Sequence, residues 1–273
     1  MQCVTPYRKK DPRKGMIDFP CGNCFACRVN KVRDWTTRLL IEAQGSVYTY
    51  FVTLTYSDEH LPMVQSSDFD VYASLNKVHM QLFHKRLRKK GFIFRYYVIG
   101  EYGTHTKRPH YHGIYFTQKS LNVLDFQEIW GLGNCRFDAV NAAAIGYVCR
   151  YHLLPEEELP KCMEKPFSIM SRRPGLGYGY LFDHEVRKWH TADYDNRQYA
   201  VIDGKKRFLP SYLKKKMYTS LGLQINAAKL REAQDNEDRR LMDQGIYGKK
   251  LNARQAFIRS KELERRLNKK SKL

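Results

Sequence analysis

The sequence predicts an α+β fold in which helices flank a central, mainly antiparallel β-sheet. The chain has 273 residues, of which 42% are hydrophobic and 28% charged, an ordinary globular composition long enough for a real core. Segments with helical and strand patterns follow one another in the order helix, strand, helix, strand, strand, helix, strand, helix. A short polar loop joins the two consecutive strands, which favours an antiparallel hairpin.

The first helix is predicted for residues 28–44, after an irregular stretch of residues 1–30 that contains several prolines and glycines. Its apolar positions form a stripe along one side: Val32, Trp35, Leu39 and Ile41. Gly45 ends it. The first strand follows at residues 48–56 (YTYFVTLTY), because this segment is dense in β-branched and aromatic residues.

The second helix is predicted for residues 76–90, with three apolar side chains directed towards the core: Val78, Leu82 and Phe83. Gly91 closes this helix. The hairpin strands follow at residues 92–101 and 110–116.

A third helix, a short strand and a fourth helix are predicted next, at residues 120–130, 135–140 and 142–153. Residues 156–218 are rich in turns, and from residue 221 the pattern is helical and basic. The predicted domains are a Cys-rich segment with its helix (1–44), a main domain (45–218) and a basic helical tail (219–273).

The charge of the chain points to a polyanionic partner. Lys and Arg number 48 against 28 Asp and Glu, a net charge of +20, and residues 204–273 alone hold 20 basic against 7 acidic residues. Nucleic acid is the commonest polyanion, although a solvated face that aids solubility is the alternative for a basic tail. The sequence has neither an apolar run of membrane-spanning length nor a secretory signal, so we expect no membrane partner and a cytosolic location.

The seven cysteines do not form a disulfide framework, because their number is odd and no signal peptide precedes them. Three of them, Cys21, Cys24 and Cys27, have the tight spacing of thiolate metal ligands. With Cys3 as a fourth ligand they would complete a tetrahedral structural Zn²⁺ site. The alternative is a group of reduced cysteines in a turn before a helix.

His110 and His112 stand two apart in a predicted strand, so both imidazoles project from the same face. Glu101 ends the preceding strand of the same hairpin and can supply a third ligand. Two imidazoles and a carboxylate suit Mg²⁺ or Mn²⁺ acting as a Lewis acid on a phosphodiester. The alternative for Glu101 is a plain surface carboxylate.

Tyr147 and Tyr151 are four residues apart on a predicted helix and therefore share one face. A tyrosine phenol can attack a phosphorus centre and form a covalent phosphotyrosine, and two phenols on one face could alternate. In a chain with 19 tyrosines, the alternative is a pair that packs on the sheet.

Together these segments resemble the motifs of the HUH endonucleases. The chain is similar, more narrowly, to the rolling-circle replication initiators of gokushovirus-type microviruses, which are small single-stranded DNA phages. The three motif segments are residues 53–56 (TLTY), 108–113 (RPHYHG) and 147–151 (YVCRY). Further matches are residues 20–28 (PCGNCFACR), 53–62 (TLTYSDEHLP), 100–103 (GEYG) and 170–177 (MSRRPGLG).

The resemblance implies that residues 45–218 are an HUH endonuclease domain with the metal residues on a middle strand. It implies a nickase that cuts single-stranded origin DNA by metal-assisted tyrosine attack, keeps the 5′ phosphate on the tyrosine and later rejoins the strand. It also implies host DNA polymerase and helicase as partners and the bacterial host cytoplasm as location. Four arginines near the motifs are candidate DNA contacts: Arg108, Arg150, Arg172 and Arg173.

One position departs from the family pattern, since Leu154 stands where a lysine often follows the second tyrosine. Lys161 or Arg150 is a candidate substitute. Two alternatives stay open: a transposase or relaxase with the same chemistry, and a non-catalytic, zinc-stabilised, basic nucleic-acid-binding or packaging protein. The sequence does not separate Tyr147 from Tyr151 as the first nucleophile.

Overall fold

The computed structural model describes residues 3, 5–11, 15–151, 159–193 and 196–245. The strands are β1 (Tyr7–Asp11), β2 (Gly15–Phe19), β3 (Tyr48–Thr55), β4 (Met63–Gln65), β5 (Val71–Ala73), β6 (Arg95–Tyr102), β7 (Pro109–Thr117), β8 (Cys135–Ala139), β9 (Phe167–Met170), β10 (Tyr199–Ile202) and β11 (Lys205–Phe208). The helices are α1 (Phe25–Gln44), α2 (Lys77–Lys89), α3 (Val123–Trp130), α4 (Ala142–Arg150), α5 (His184–Ala192), α6 (Ser211–Met217) and α7 (Ser220–Asp243).

The described residues fall into two compact units. One holds the residues up to Thr37 and those from Leu181 onward, and the other runs from Arg38 to Tyr151 and from residue 159 to Tyr180. The predicted boundaries of the three domains stay a prediction. The predicted basic tail is helical as far as Asp243, and residues 246–273 lie outside the described part of the chain.

The second unit contains a five-stranded sheet with the order β8-β3-β7-β6-β9. Every neighbouring pair of strands in it is antiparallel. The predicted α+β fold with a central antiparallel sheet and flanking helices is therefore confirmed. The β6–β7 hairpin lies in the middle of the sheet and pairs Glu101 with His110.

The two faces of the sheet differ because alternate side chains of a strand point in opposite directions. One face of β7 carries Tyr111 and Tyr115, which are fully buried in an aromatic core with Phe83, Phe126 and Trp130. The other face carries His110 and His112, which are only partly buried. The packed face thus leaves the opposite face free for a site.

Helix α2 buries a different set of residues from the predicted one. Asn76 caps its N-terminus by accepting the backbone N–H groups of Val78 and His79. Val78 and Leu82 are 56% and 44% exposed, so their predicted inward direction is wrong, whereas that of Phe83 is right. The buried residues are Met80, Phe83, His84 and Leu87. The prediction failed because a histidine takes one of the inward positions, while a valine lies in the exposed first turn.

Two predicted irregular regions contain regular structure. Residues 1–30 include the hairpin β1–β2, and residues 156–218 include β9, α5, β10, β11 and α6. Both hairpins are two-stranded and rich in charged residues, for example KKRF in β11. Apolar periodicity is weak in such segments, which is why it did not reveal them.

Gly133 allows the loop before β8 to pass against the end of β3. A Cβ at this position would overlap the Thr55 carbonyl oxygen and lie 2.5 Å from the Ser57 nitrogen, and the φ angle is +153°. We expect Gly133→Ala to lower the free energy of unfolding by about 3 kcal/mol or more, because backbone atoms must move. Urea unfolding measures this loss. Gly45→Ala, whose Cβ meets only ordinary contacts at 3.7 Å, is the matched control, and equal stability of the two variants would contradict the prediction.

His84 makes stability depend on pH. Burial, with a contribution from the charge of Arg88, lowers the pKa of His84 to about 3. Its Nε2 lies 2.9 Å from the Tyr115 hydroxyl, and within the described part of the chain Nδ1 has no hydrogen-bond partner. The unfolded chain therefore binds one more proton than the native chain between pH 3 and the ordinary histidine pKa of about 6.5.

We expect the free energy of unfolding to fall as the pH drops from about 6.5 towards 3, by up to about 1.4 kcal/mol per pH unit from this residue. His84→Gln removes the titrating group and should flatten this part of the profile. Chemical unfolding of both proteins across this pH range measures the difference. Parallel profiles would show that His84 is not the source.

Candidate metal and tyrosine site

Three side chains with metal-ligand chemistry meet on the open face of the β6–β7 hairpin. Glu101 and His110 are directly opposite each other in the register, and His112 lies two residues along the same strand. Because Glu101 and His110 are paired and His112 follows at i+2, all three side chains share one face. The strand register therefore creates the group.

The three residues converge on one carboxylate oxygen. Glu101 Oε1 lies 3.3 Å from Nε2 of His110 and 3.4 Å from Nε2 of His112. The three ligand atoms all lie within 4.8 Å of one another. One carboxylate and two imidazoles suit a divalent cation such as Mg²⁺ or Mn²⁺, so the donor set fits the predicted ion.

The titration of the three groups reflects their contact. Burial raises the pKa of Glu101, but the hydrogen bond with His110 and the charges of both histidines outweigh it and lower the pKa overall. Burial lowers the pKa of His110, but the contact with Glu101 outweighs it and raises the pKa. Burial lowers the pKa of His112 to about 4. His112 is therefore neutral near pH 7, which is the form that binds a metal.

Neighbouring groups hold both imidazoles in place through their Nδ1 atoms. His112 Nδ1 lies 3.0 Å from the Thr53 hydroxyl, and His110 Nδ1 lies 3.1 Å from the Arg108 carbonyl oxygen. The Phe51 ring stacks on His112 at 5.4 Å between centroids. Such contacts leave Nε2 of each ring directed to the shared oxygen. Phe51 and Thr53 lie on β3, and their role was missed because it arises from strand pairing rather than from local spacing.

The tyrosine helix lies beside this group. Asn141 caps α4 by accepting the backbone N–H of Ala144. The Tyr147 hydroxyl donates to Glu101 Oε1 at 3.1 Å, and the Tyr147 ring packs edge-on against His112 at 5.4 Å. The side chain is 46% exposed, so it reaches the site and remains open to solvent.

Tyr151 follows the last residue of α4 and is less exposed than Tyr147. For both phenols, burial first and the Glu101 charge second raise the pKa to about 12. Tyr147 donates a hydrogen bond to Glu101, whereas Glu101 acts on Tyr151 through its charge. Residues 152–158, including Leu154 at the departure from the family pattern, lie outside the described residues.

The candidate DNA-contact arginines are placed differently. Arg108 is held by the Asp58 carboxylate and the Tyr56 carbonyl oxygen, each at 2.7 Å, and so fixes the turn after β3. The other three are exposed: Arg150 at the end of α4, and Arg172 and Arg173 in the turn after β9. Sequence reasoning did not assign Asp58 as the partner of Arg108.

The four N-terminal cysteines form a second group with metal-ligand chemistry. The sulfur atoms of Cys3, Cys21, Cys24 and Cys27 all lie within 4.8 Å of one another. A hydrogen bond from the Thr5 hydroxyl lowers the pKa of Cys21 to about 6, whereas burial raises that of Cys27 to about 12. This group belongs to the first compact unit and is compatible with metal binding.

Comparison with known proteins places the chain in a family. Residues 49–153 match the family model of the replication-associated protein ORF2. The replication-associated protein ORF2 of Spiroplasma virus 4 is 38% identical over 227 residues, which cover 72% of this chain and 67% of that protein. The chain belongs to the phage replication-associated proteins. The resemblance to the initiators of gokushovirus-type microviruses is thereby confirmed at the level of the family.

Two more phage replication-associated proteins are similar to this chain. VP4 of Bdellovibrio phage phiMH2K is 26% identical over 248 residues, which cover 78% of this chain and 76% of that protein. ORF4 of Chlamydia phage 1 is 27% identical over 226 residues, which cover 72% of this chain and 52% of that protein. The matched segment of the family model contains the histidine strand and both tyrosines.

A solved structure, ORF119 of Sulfolobus islandicus rod-shaped virus 1, is 18% identical to this replication-associated protein and covers 43% of it and 90% of its own chain. Its TM-score is 0.29, which does not establish a shared fold. Among the described residues, no helix is both long enough and apolar enough to span a membrane.

Proposed function

We propose that the chain is the replication initiator of its phage and nicks single-stranded origin DNA through a tyrosine nucleophile. The observation that carries this proposal is the meeting of a phenol and two imidazoles at one carboxylate oxygen, Glu101 Oε1. Membership of the phage replication-associated proteins supports the biological role. The geometry supports the chemistry, because nucleophile and metal ligands lie within one hydrogen bond of each other.

In the proposed reaction, the Tyr147 oxygen attacks the scissile phosphorus of the DNA. A tyrosine O–P bond forms and the P–O3′ bond breaks, so the 5′ phosphate stays on the protein and the 3′ oxygen departs. The phenol loses a proton and the departing oxygen gains one, which keeps the balance. The Glu101 carboxylate already accepts the phenolic hydrogen bond and is therefore placed to receive that proton.

A divalent cation is the proposed cofactor, with Glu101, His110 and His112 as its ligands. When bound, Mg²⁺ or Mn²⁺ supplies positive charge that polarises the phosphate and stabilises the departing oxygen. Thr53 and the Arg108 carbonyl keep the imidazoles oriented for this role. Phe51 shields the outer face of the His112 ring from water.

Tyr147 is the proposed first nucleophile and Tyr151 the second. The hydrogen bond to Glu101 and the edge contact with His112 support the first assignment. Tyr151 would attack the regenerated origin at the end of the round, so that the released 3′-OH rejoins the first strand end. The phosphotyrosine bond conserves the energy of the phosphodiester, and therefore no ATP is needed.

Contacts with DNA and host proteins complete the proposal. The exposed Arg150, Arg172 and Arg173 would hold phosphates, whereas Arg108 would act mainly by fixing the turn that leads to the site. The basic segment 204–273 would bind the DNA backbone with an affinity that falls steeply as salt increases. Host polymerase and helicase would extend the free 3′-OH.

A denaturing gel tests the proposed nicking. Labelled single-stranded fragments that tile the encoding genome are incubated with the full chain in Mn²⁺ or in EDTA. A cut on one fragment in Mn²⁺ only, with the label downstream of the cut carried onto the protein, is the expected result. Cutting at inverted repeats of a mobile element would favour a transposase, and cutting at a plasmid transfer origin would favour a relaxase. Tight binding with no cut on any fragment would overturn the proposal in favour of a non-catalytic packaging protein.

A further inference from the structure

We propose that Cys3, Cys21, Cys24 and Cys27 bind one Zn²⁺ ion in a structural site that is separate from the Glu101 group. This site requires only the metal and does not depend on the proposed nicking. Its four ligands lie in the first compact unit, whereas Glu101 and both histidines lie in the second.

The separations of the sulfur atoms match a tetrahedral tetrathiolate. Zinc–sulfur bonds of about 2.3 Å give sulfur–sulfur edges of about 3.8 Å in a tetrahedron. The Cys3 and Cys24 sulfurs are 3.9 Å apart, and all four sulfurs lie within 4.8 Å of one another. Four sulfurs that share one centre differ from two disulfide pairs, and all four cysteines are free thiols here.

Hydrogen-bond donors surround the sulfurs as they do in a thiolate site. The Cys21 N–H donates to the Cys3 sulfur and the Cys24 N–H donates to the Cys21 sulfur, each at 3.3 Å. The Thr5 hydroxyl donates to the Cys21 sulfur, also at 3.3 Å. Four thiolates around Zn²⁺ have a net charge of −2, and such donors stabilise that charge.

The positions of the ligands explain what the ion would do. Cys3 lies before β1 and Cys21 lies after β2, so these two close the open end of the hairpin. Cys24 and Cys27 lie at the start of α1, where the Cys24 carbonyl accepts the Arg28 N–H. A two-stranded hairpin is marginal on its own, and a shared ion would fasten it to the first turn of the helix. The helix dipole favours negative charge at that end.

Metal content tests the site directly. The full chain, purified with Zn²⁺ present and then dialysed, should hold one tightly bound Zn²⁺ by elemental analysis. Cys24→Ser should reduce this to less than about a tenth, because three thiolates bind zinc far more weakly. Cys162→Ser, which changes a partly buried cysteine outside the cluster, is the matched control and should retain the ion. Tightly bound Zn²⁺ that survives Cys24→Ser but is lost in His112→Ala would overturn the proposal.

Cobalt gives a second readout that does not depend on the folding of a variant. Co²⁺ added to the metal-free wild-type chain should produce the intense sulfur-to-metal charge-transfer bands of tetrahedral thiolate ligation, and Zn²⁺ should abolish them. Hydrogen exchange of β1 and β2 should slow when Zn²⁺ is added, whereas that of β6 and β7 should stay unchanged. Bound iron with the absorption of an iron–sulfur cluster, or spectra without sulfur ligation, would overturn the assignment. Loss of nicking alone would not bear on it.

Discussion

Tyr147→Phe should reduce the rate of the first cleavage by about 10³-fold or more and abolish the covalent adduct, because it deletes the attacking oxygen. The ring contacts with His112 and Phe51 survive this change, so the site should stay assembled. Single-turnover cleavage of a labelled single-stranded origin fragment in Mn²⁺ measures the rate. A protein gel that retains the label measures the adduct.

The matched control is Tyr151→Phe, which removes a hydroxyl from the same helix region. It should keep the first cleavage within about tenfold of wild type and instead lose strand joining, since the second attack requires its phenol. Both variants should bind the fragment as tightly as wild type. If Tyr151→Phe loses the first cleavage and Tyr147→Phe keeps it, the proposed order of the two nucleophiles is reversed.

His112→Ala should weaken Mn²⁺ binding by about 100-fold or more and reduce cleavage correspondingly at low metal concentration. The variant loses one of three ligands and leaves Glu101 and His110, which hold a cation poorly. Part of the activity should return when the Mn²⁺ concentration is raised. Calorimetric titration of the full chain with Mn²⁺ and cleavage at several metal concentrations measure these effects.

His105→Ala is the control for this prediction, because His105 is exposed in the loop between β6 and β7 and lies in the same hairpin. It should bind Mn²⁺ and cleave DNA as wild type does. Unchanged Mn²⁺ binding in His112→Ala would contradict the assignment of this histidine as a ligand. An unfolded His112→Ala protein is recognised by circular dichroism, and His112→Gln then replaces it.

The central sheet was predictable because its strands are strongly marked. YTYFVTLT in β3 and RYYVIGEY in β6 combine β-branched and aromatic residues, and only a short loop separates β6 from β7. The hairpin β1–β2 was not predictable in the same way, since YRKKD is nearly all charged and buries little apolar surface. We attribute its order to the cysteines at its open end, and the alternation of apolar residues does not report such a constraint.

The metal group was predictable because one hairpin supplies all of it. A two-residue histidine spacing and a carboxylate on the partner strand determine which side chains share a face. The contacts of Thr53 and Phe51 with His112 were not predictable, because they depend on the pairing of β3 with β7, which lie far apart in the sequence. Tyr147 and Tyr151 look equivalent along a helix, and only the packing of α4 beside His112 distinguishes them.

The most direct test of the central claim is to identify the residue that bears the DNA. The adduct formed in Mn²⁺ is digested with nuclease and trypsin, and the peptides are analysed by mass spectrometry. Trypsin cuts after Arg150 and so separates Tyr147, in the peptide of residues 137–150, from Tyr151, in that of residues 151–161. We predict nucleotide mass on the first peptide, present in Mn²⁺ and absent in EDTA. Cleavage that leaves a free 5′ phosphate with no nucleotide on either peptide would contradict the account.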